Sequence, residues 1–349
     1  CGIIRKQRST LMDKIINLSD KDRETLFLQT SSDTNIPFAM VEKDFWVCYV
    51  LSRIFSNEEL ANALRFKGGT SLSKGYGLIK RFSEDLDLIL DKTLILGEEE
   101  LFKSSYKKQR EFADIISEKT AAYISGILKD KIEKVLGNPL KIYTDEEYTK
   151  INPMYNPVNI DNKSLHVVYP KSSKDGYLRP DILLEIGIMS ARTPWENTNI
   201  ISSVGETYPE LNIKGIAVPT VMPTRTFWDK ATILHREYYR PETTHTPSRY
   251  SRHYYDLYQM GHSLVKKEAL DDKDLLTDVV LRKDRLYHCA WAKYDECLTG
   301  NIHLLPNDNN KQVLEDDYKA MQGMIYGDKP NWHDILEYLA ELEKEINSL

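Results

Sequence analysis

The chain has few cysteines and no long apolar run. Four cysteines occur, and they form no C-x-x-C pair: Cys1, Cys48, Cys289 and Cys297. A chain of 349 residues is large enough to fold without a disulfide framework, so we expect a reducing, cytoplasmic location. No stretch of about 18 apolar residues occurs, and the sequence therefore predicts no membrane-spanning helix and no membrane partner.

The cysteines permit two further interpretations, and the sequence completes neither. His288 and Cys289, with Cys297 downstream, would supply only part of a zinc site, because no second close pair gives four ligands. The chain begins with Cys1 rather than Met, which favours a trimmed end. A lipidated terminus is the alternative, and no signal segment supports it.

Neither sign of charge dominates the chain. With 47 basic and 53 acidic residues, the net charge is -6, so binding to nucleic acid would require basic residues gathered on one surface. Hydrophobic residues make up 41% and charged residues 29%, which excludes a disordered or fibrous chain. The composition indicates a globular protein and does not decide for or against RNA binding.

The residue pattern predicts an α+β front and an all-helical rear, divided between residues 222 and 223. The front, 1–222, is expected to hold a mixed sheet flanked by helices. Its elements are helices over 41–55 and 98–135, strands over 65–67, 85–90 and 213–218, and a hairpin of 165–169 with 181–188. The rear, 223–349, is expected to hold helices over 226–240, 250–264, 274–292, 312–325 and 332–346.

Asp85 and Asp87 alternate with leucines on the predicted strand over 85–90. Residues two apart on a strand point to the same face, about 7 Å apart. Two neighbouring carboxylates repel each other unless a cation lies between them, and carboxylate oxygens are ligands that Mg²⁺ or Mn²⁺ prefers. The pair therefore indicates a metal site, and a solvated strand face with alternating acids is the alternative.

The segment Gly68-Gly69-Thr70-Ser71 follows a predicted strand and opens a short helix. Glycine lets the backbone approach a ligand closely, and helix-start N–H groups with two hydroxyls can bind a phosphate tail. The alternative is a tight turn with Thr70 as the helix N-cap. Neither the P-loop pattern nor the Rossmann fingerprint is present.

The order of these features resembles the nucleotidyltransferase fold of polymerase β-like enzymes: a strand, Gly-Gly-Thr-Ser, a short helix, then a strand with Asp-x-Asp. That resemblance implies a third acid from a neighbouring strand. Glu185 fits, because Leu184 and Ile186 flank it on the predicted strand over 181–188. Asp181 has the same parity and is one alternative; a purely structural pairing of Glu185 with an arginine is the other.

Five segments together resemble the AbiEii/AbiGii-type nucleotidyltransferase toxin family. They span residues 42–258, and the front three are more specific than the rear two. The segments are Glu-Lys-Asp-Phe-Trp-Val at 42–47, Phe-Lys-Gly-Gly-Thr-Ser-Leu-Ser-Lys at 66–74, Arg-Phe-Ser-Glu-Asp-Leu-Asp-Leu at 81–88, Thr-Phe-Trp-Asp-Lys-Ala at 226–231 and Arg-His-Tyr-Tyr-Asp-Leu-Tyr at 252–258.

The resemblance implies an enzyme that uses Mg²⁺ or Mn²⁺ to move a nucleoside monophosphate from an NTP to an acceptor hydroxyl. It also implies a toxin of a toxin–antitoxin or phage abortive-infection system, with an antitoxin protein encoded alongside. Some family members act on transfer-RNA ends, so an RNA (tRNA-like) acceptor is expected. A protein or small-molecule acceptor is the alternative, and a catalytically inactive nucleotide-binding interaction protein is an alternative of another class.

The resemblance also implies roles for single residues, with the rear domain contributing to the site. The expected metal ligands are Asp85, Asp87 and Glu185. Lys230 is expected to reach the triphosphate, and Asp256 to hold Lys230, the metal or the acceptor. An ion pair between Asp256 and Arg252 is the alternative. The residues expected around the phosphates are Gly68, Gly69, Thr70, Ser71, Lys74, Arg81 and Ser83.

Between residues 236 and 255 the chain mixes cations with tyrosines, a composition that suits single-stranded RNA. Core tyrosines with solvated arginines are the alternative. The cations are Arg236, Arg240, His245, Arg249, Arg252 and His253.

Overall fold

The computed structural model describes residues 11–155, 162–172 and 178–349. Cys1 and part of the predicted hairpin turn lie outside these residues. Within them the chain forms a mixed sheet with surrounding helices, followed by helices with an apolar core of their own. The predicted α+β fold class is confirmed.

The described strands form a single sheet. They are β1 (Leu64–Lys67), β2 (Asp85–Leu90), β3 (Lys141–Thr144), β4 (Ser164–Val168), β5 (Asp181–Gly187), β6 (Trp195–Ile200) and β7 (Ile216–Val221). Their order in the sheet is β3-β4-β5-β2-β1-β7-β6. β2 pairs antiparallel with β1 and parallel with β5, and β1 pairs parallel with β7. Leu86 and Leu88 are buried on one face of β2, so Asp85 and Asp87 lie on the other.

The helices of the front precede and cover the sheet. They are α1 (Leu11–Ile16), α2 (Asp20–Thr34), α3 (Phe38–Phe55), α4 (Glu58–Ala63), α5 (Gly68–Thr70), α6 (Thr93–Leu96), α7 (Tyr106–Tyr123), α8 (Lys129–Leu136), α9 (Asp145–Ile151) and α10 (Ser203–Thr207). π-Helical turns continue α5 through Ser71–Gly75 and join α7 to α8 through Ile124–Leu128. The almost fully buried α3 packs against α2, α8 and β7.

The described part of the rear is helical. Its helices are α11 (Pro223–Tyr238), α12 (Ser251–Gly261), α13 (Leu264–Asp271), α14 (Lys273–Leu286), α15 (Lys311–Met321) and α16 (Trp332–Asn347). Leu72 and Ile79, which lie between β1 and β2, belong to the apolar core of these helices. The rear therefore packs directly on the Gly-Gly segment, and the division between residues 222 and 223 stays a prediction.

Several elements differ from the sequence predictions. The helix predicted over 98–135 begins only at Tyr106, and the helix predicted over 274–292 ends at Leu286. The strands β3 and β6 were not predicted. In β6, an edge strand, only Thr198 and Ile200 are buried, so the apolar alternation that identifies a strand is almost absent.

The charged residues of α3 lie inside the helix rather than at its start. The helix begins at Phe38, and its buried charges each have a partner. Lys43 Nζ donates to Glu84 Oε2 at 3.0 Å and to the Arg179 carbonyl at 3.2 Å. Because Glu84 immediately precedes β2, this ion pair fixes the start of the strand that carries Asp85.

Removal of Lys43 should destabilise the protein much more than removal of an exposed lysine. In Lys43→Met the buried Glu84 carboxylate loses a charge partner, and we expect a loss of about 3 kcal/mol in the free energy of unfolding. The matched control is Lys131→Met, whose pair with Glu59 is half-exposed and should cost less than about 1 kcal/mol. Urea unfolding followed by circular dichroism measures both, and equal losses would contradict a structural role for Lys43.

Candidate active site

Strand pairing gathers three acids and one lysine on one face of the sheet. Asp87 lies opposite Lys67 of β1 and beside Glu185 of β5. Asp85 lies two residues earlier on β2 and therefore points to the same side. The acids that the sequence singled out thus stand close together, although β2 and β5 are far apart in the chain.

A cavity of about 280 Å³ opens between this face of the sheet and the rear helices. The predicted site residues that line it are Gly68, Gly69, Arg81, Ser83, Asp85, Asp87, Glu185 and Lys230. The rear helices close it with Arg225, Asp229, Arg252, His253, Arg282 and Lys283. The cavity therefore combines acids from the sheet with cations that come mainly from the helices.

Two glycines are required where the chain turns beside the acids. Gly68 has φ +80°, and a Cβ at this position would lie 1.8 Å from Asp87 Oδ2. At Gly69 a Cβ would lie 2.9 Å from both Arg81 Nη2 and Ser83 Oγ. The absent side chains let the backbone of the turn approach the carboxylate of Asp87 directly.

The hydroxyls of Thr70 and Ser71 brace the turn from inside. Thr70 Oγ1 donates to the carbonyl of Asp85 at 2.6 Å, and Ser71 Oγ donates to the carbonyl of Gly68 at 2.8 Å. Both side chains are buried and neither lines the cavity. Their predicted contact with phosphate stays a prediction; the surface that faces the cavity here is the Gly68–Gly69 backbone with Ser83.

Lys74 is placed apart from the other predicted site residues. Its Nζ lies 2.9 Å from Asp44 Oδ1, and it lines a separate cavity of about 130 Å³. Burial alone would lower the pKa of Lys74, but the charges of Asp44, Cys48 and Glu206 with the hydrogen bond to Asp44 together outweigh burial and raise it. The structure therefore gives this lysine a charge partner on α3, away from Asp85 and Asp87.

Asp256 joins the front and rear parts of the site. Arg81 donates to both of its carboxylate oxygens, each at 2.7 Å, and Lys230 Nζ lies 2.7 Å from Oδ2. Burial opposes the charge on Asp256, yet the two cations hold the pKa of its carboxyl far below the usual range. The partners of Asp256 are thus Arg81 and Lys230, not Arg252.

The segment that carries Arg81 is also tied to the rear by its backbone. The Phe82 amide donates to the Met324 carbonyl at 2.8 Å, and the Tyr326 amide donates to the Lys80 carbonyl at 3.0 Å. These bonds form a short antiparallel bridge between Arg81 and Ile325. Ser83 consequently enters the cavity from a fixed direction.

His253 helps to hold Lys230 in the cavity wall. Burial, with the charges of Lys230 and Arg252, lowers the pKa of His253 well below its usual value, so the ring is neutral. Lys230 Nζ lies 3.5 Å from Nδ1 of this ring, which accepts a hydrogen bond from it. Asp256 and His253 together aim the ammonium group at the cavity.

The negative charges of the acids in the cavity are energetically unfavourable, because the acids are buried and close to one another. Burial raises the pKa of Asp85, and the charges of Asp87 and Glu84 add to the effect. Desolvation in the cavity, with the charges of Asp87 and Asp85, raises the pKa of Glu185 to about 7. Burial alone would lower the pKa of Lys67, but the charges of Asp87, Asp229 and Glu185, with Tyr287, together outweigh burial and raise it. The group of acids would gain from a further positive charge.

One oxygen in the site fits a metal ion. Asp85 Oδ1 is buried and has no hydrogen-bond partner among the described residues, an arrangement that costs free energy unless a cation or donor binds there. Within residues 11–155, 162–172 and 178–349, no three His, Cys, Asp or Glu side chains are arranged as a metal-binding group. A metal at Asp85 and Asp87 would therefore also take oxygens from phosphate or water, which is usual for Mg²⁺.

The two candidates for the third acid are placed differently. Glu185 lines the cavity, whereas Asp181 does not. Asp181 accepts hydrogen bonds from Tyr148 at 2.9 Å and Arg179 at 3.1 Å, and His166 Nδ1 lies 2.8 Å from it. Asp181 thus belongs to a buried network around His166, and Glu185 remains the predicted third acid.

Sequence reasoning did not single out several cations of the cavity. Lys67 directly precedes Gly68, so its position next to the glycine turn could have identified it from the sequence as a site residue. Arg225 and Lys283 come from α11 and α14, and no local pattern points to them because their partners, Asp278 and Asp229, are brought near by folding. Long-range pairing of this kind leaves no periodic trace in the sequence.

The sheet with its Gly-Gly turn and adjacent acids defines a protein of the nucleotidyltransferase class of folds. A family model described as the nucleotidyl transferase AbiEii toxin of type IV toxin–antitoxin systems matches residues 49–341. The chain therefore belongs to the AbiEii family of nucleotidyltransferase toxins.

Other comparisons add little to this assignment. The structure is similar to MenT4, a nucleotidyltransferase toxin from Mycobacterium tuberculosis, with 15% identity over 93% of this chain and 98% of that chain and a TM-score of 0.43. No curated protein matches the chain. In the part of the chain that the structure describes, no helix is long and apolar enough to cross a membrane.

Replacement of Gly68 should disturb the site more than replacement of a glycine in open space. Gly68→Ala forces a side chain into the left-handed backbone region, which costs roughly 1–2 kcal/mol, and pushes its Cβ against Asp87. The control is Gly126→Ala, where a Cβ meets nothing within 4 Å and alanine favours the helix. Urea unfolding should show a loss only for Gly68→Ala; equal midpoints for the two variants would contradict the close approach to Asp87.

Proposed function

We propose that this protein transfers a nucleoside monophosphate from an NTP to an acceptor hydroxyl, with RNA of the tRNA type as acceptor. The observation that carries the proposal is the buried oxygen of Asp85, without a hydrogen-bond partner among the described residues, beside Asp87 and the Gly68–Gly69 turn. A site for a metal-bound triphosphate needs a cation-binding pair of acids, close backbone and nearby positive charge. The cavity offers all three within about 280 Å³.

Asp85 and Asp87 would hold Mg²⁺ or Mn²⁺, and Glu185 would complete the acidic face. When bound, such an ion neutralises charge at the α-phosphate and favours departure of pyrophosphate. The fit is supported by Asp85 Oδ1, which lacks a partner among the described residues. Removal of the mutual repulsion between the acids is a second reason for a cation to bind here.

Lys230 and Arg252 would bind the phosphates from the side of the rear helices. Both line the cavity, and Lys230 is held in place by Asp256 and His253. Lys67, on the opposite wall, is the cation closest in the sheet register to Asp87. Fixed cations on two sides of a triphosphate orient it and offset its charge without reorganisation.

Transfer of the nucleotide forms one bond to phosphorus, breaks another and releases one proton. The acceptor oxygen forms a bond to the α-phosphorus, and the bond between the α-phosphorus and the α,β-bridging oxygen breaks. Pyrophosphate leaves with the electrons of that bond, and the hydroxyl proton passes to a carboxylate of the cavity or to water. The positioned cations stabilise charge that develops on the leaving group.

Membership of a type IV toxin family supports a cognate antitoxin as partner. We propose that the protein acts as the toxin of a toxin–antitoxin or phage abortive-infection system in the cytoplasm. Transfer of a nucleotide to an RNA end would account for toxicity, because an altered end prevents normal use of that RNA.

The first test is labelling of total RNA. Purified protein is incubated with Mg²⁺, cellular RNA and each α-³²P-labelled NTP in turn, beside the Asp85→Asn/Asp87→Asn variant. We expect label on small RNA with one preferred NTP, and none with the variant. Label on protein alone would replace RNA by a protein acceptor, and the absence of any NTP-dependent product would contradict nucleotidyl transfer.

A stability measurement separates functional acids from structural ones. Asp85→Asn removes charge repulsion and keeps the shape, so in EDTA we expect it to unfold at the same urea concentration as the wild type or at a higher one. The same variant should lose Mn²⁺ binding and transfer. Asp130→Asn, on the exposed surface of α8, is the control and should change neither property. Marked destabilisation by Asp85→Asn would indicate a structural role instead.

A further inference from the structure

A second cavity, distinct from the one that Lys74 lines, also borders Asp85. Its volume is about 250 Å³, and it shares Arg81, Ser83, Asp85 and Arg252 with the cavity assigned to the nucleotide. Its remaining walls come from the loop before α12 and from the end of α15. Any group bound there would therefore approach Asp85 from a direction different from that of the NTP.

The loop before α12 is held in one conformation. Arg249 has φ +63°, and its backbone N–H donates to Asp317 Oδ1 at 2.6 Å. Ser251 donates to Asp317 Oδ2 through both its N–H, at 2.9 Å, and its hydroxyl, at 2.6 Å. These bonds set the wall of the second cavity before any ligand binds.

Arg249 and Arg252 line this cavity beside the acids Glu84, Asp85 and Asp317. Glu84 is offset by Lys43 and by Arg249 Nη1, at 3.0 and 3.1 Å, and Asp317 is occupied by its three donors. Arg249 remains 46% exposed. Arg252, which borders both cavities, makes no hydrogen bond or ion pair among the described residues, and its charge partly offsets the rise in the pKa of Glu185. Arg252, and the exposed part of the Arg249 guanidinium that does not contact Glu84, are therefore available to a phosphate backbone.

The floor of the cavity is apolar. Met321 and Met324 are buried beneath it, and Phe82 and Ala320 complete this surface. Thioether and aromatic side chains give favourable contacts with flat aromatic groups. Apolar contact beside arginines suits an unstacked base with its phosphates, which is the common mode of single-stranded RNA recognition.

We propose that this second cavity is the acceptor subsite and holds the 3′-terminal nucleotide of a single-stranded RNA end. The base lies against Met321 and Met324, and the phosphates contact Arg249 and Arg252. The inference rests on the proposed nucleotidyl transfer and adds the location at which the end of the RNA acceptor binds. In-line displacement supports it, because the attacking hydroxyl must reach the α-phosphorus from the side opposite to the leaving pyrophosphate.

The test fills the mouth of the cavity without touching the nucleotide site. Ala320 is exposed on α15 and lines the second cavity but not the first, so Ala320→Trp should fold normally and obstruct the acceptor. Val313→Trp, on the same helix, 52% exposed and outside the cavity, is the matched control. We expect Ala320→Trp to raise the KM for RNA at least about tenfold, with NTP-dependent thermal stabilisation unchanged.

A second readout does not depend on turnover. RNA with 4-thiouridine as its 3′-terminal nucleotide is bound to the full-length protein, irradiated and digested, and the crosslinked peptides are identified by mass spectrometry. We expect crosslinks within residues 320–324 for the wild type and the control variant, and their loss in Ala320→Trp. Crosslinks confined to other surfaces, or unchanged RNA kinetics in Ala320→Trp, would overturn the proposal.

The outcomes separate failure of this inference from failure of the proposed function. If RNA is labelled but Ala320→Trp behaves like Val313→Trp, nucleotidyl transfer stands and the acceptor binds elsewhere. If label appears only on protein, the RNA assignment of the cavity is wrong. If no NTP stabilises the protein and no acceptor is labelled, the proposed function itself fails.

Discussion

The carboxylate of Asp256 is the point at which the two parts of the molecule become one site. It accepts two hydrogen bonds from Arg81 and lies 2.7 Å from Lys230 Nζ, with no exposed surface. A buried charge is tolerated only when its partners remain in place. The positions of Arg81, which precedes the acidic strand, and of Lys230, on α11, therefore depend on each other. Ser83 and the Gly68–Gly69 turn lie next to Arg81, so their positions depend on the same contact.

Asp256 has two cation partners, whereas the acids near it in the cavity lack enough positive charge to balance their own. Asp85 and Glu185 both have raised pKa values because burial and mutual repulsion oppose their charge. The contrast with Asp256, whose pKa is lowered by two cations, distinguishes an acid with fixed charge partners from the acids that we propose bind a cation. The unfavourable charges of these acids reduce the stability of the fold, and the packed core and the ion pairs of Asp256 offset that cost.

Local patterns predicted the parts of the site that depend on local geometry. Alternation with leucines placed Asp85 and Asp87 on one strand face, and the glycines marked a turn that only glycine can make next to Asp87. The sequence could not show that Thr70 and Ser71 would use their hydroxyls on backbone carbonyls, or that Lys74 would pair with Asp44. Those outcomes depend on which groups folding brings within hydrogen-bond distance. The pairing of Arg81 with Asp256, 175 positions apart in the chain, has the same origin.

The wall shared by the two cavities would couple the binding of the nucleotide to that of the acceptor that we propose. Asp85 and Arg252 border both, so a ligand that draws Arg252 toward one side changes the free energy of binding on the other. Such coupling is reciprocal at equilibrium: the factor by which a nucleotide alters affinity for the acceptor equals the factor for the reverse effect. A single arginine with no fixed partner among the described residues can thus make the affinity for each of two ligands depend on whether the other is already bound.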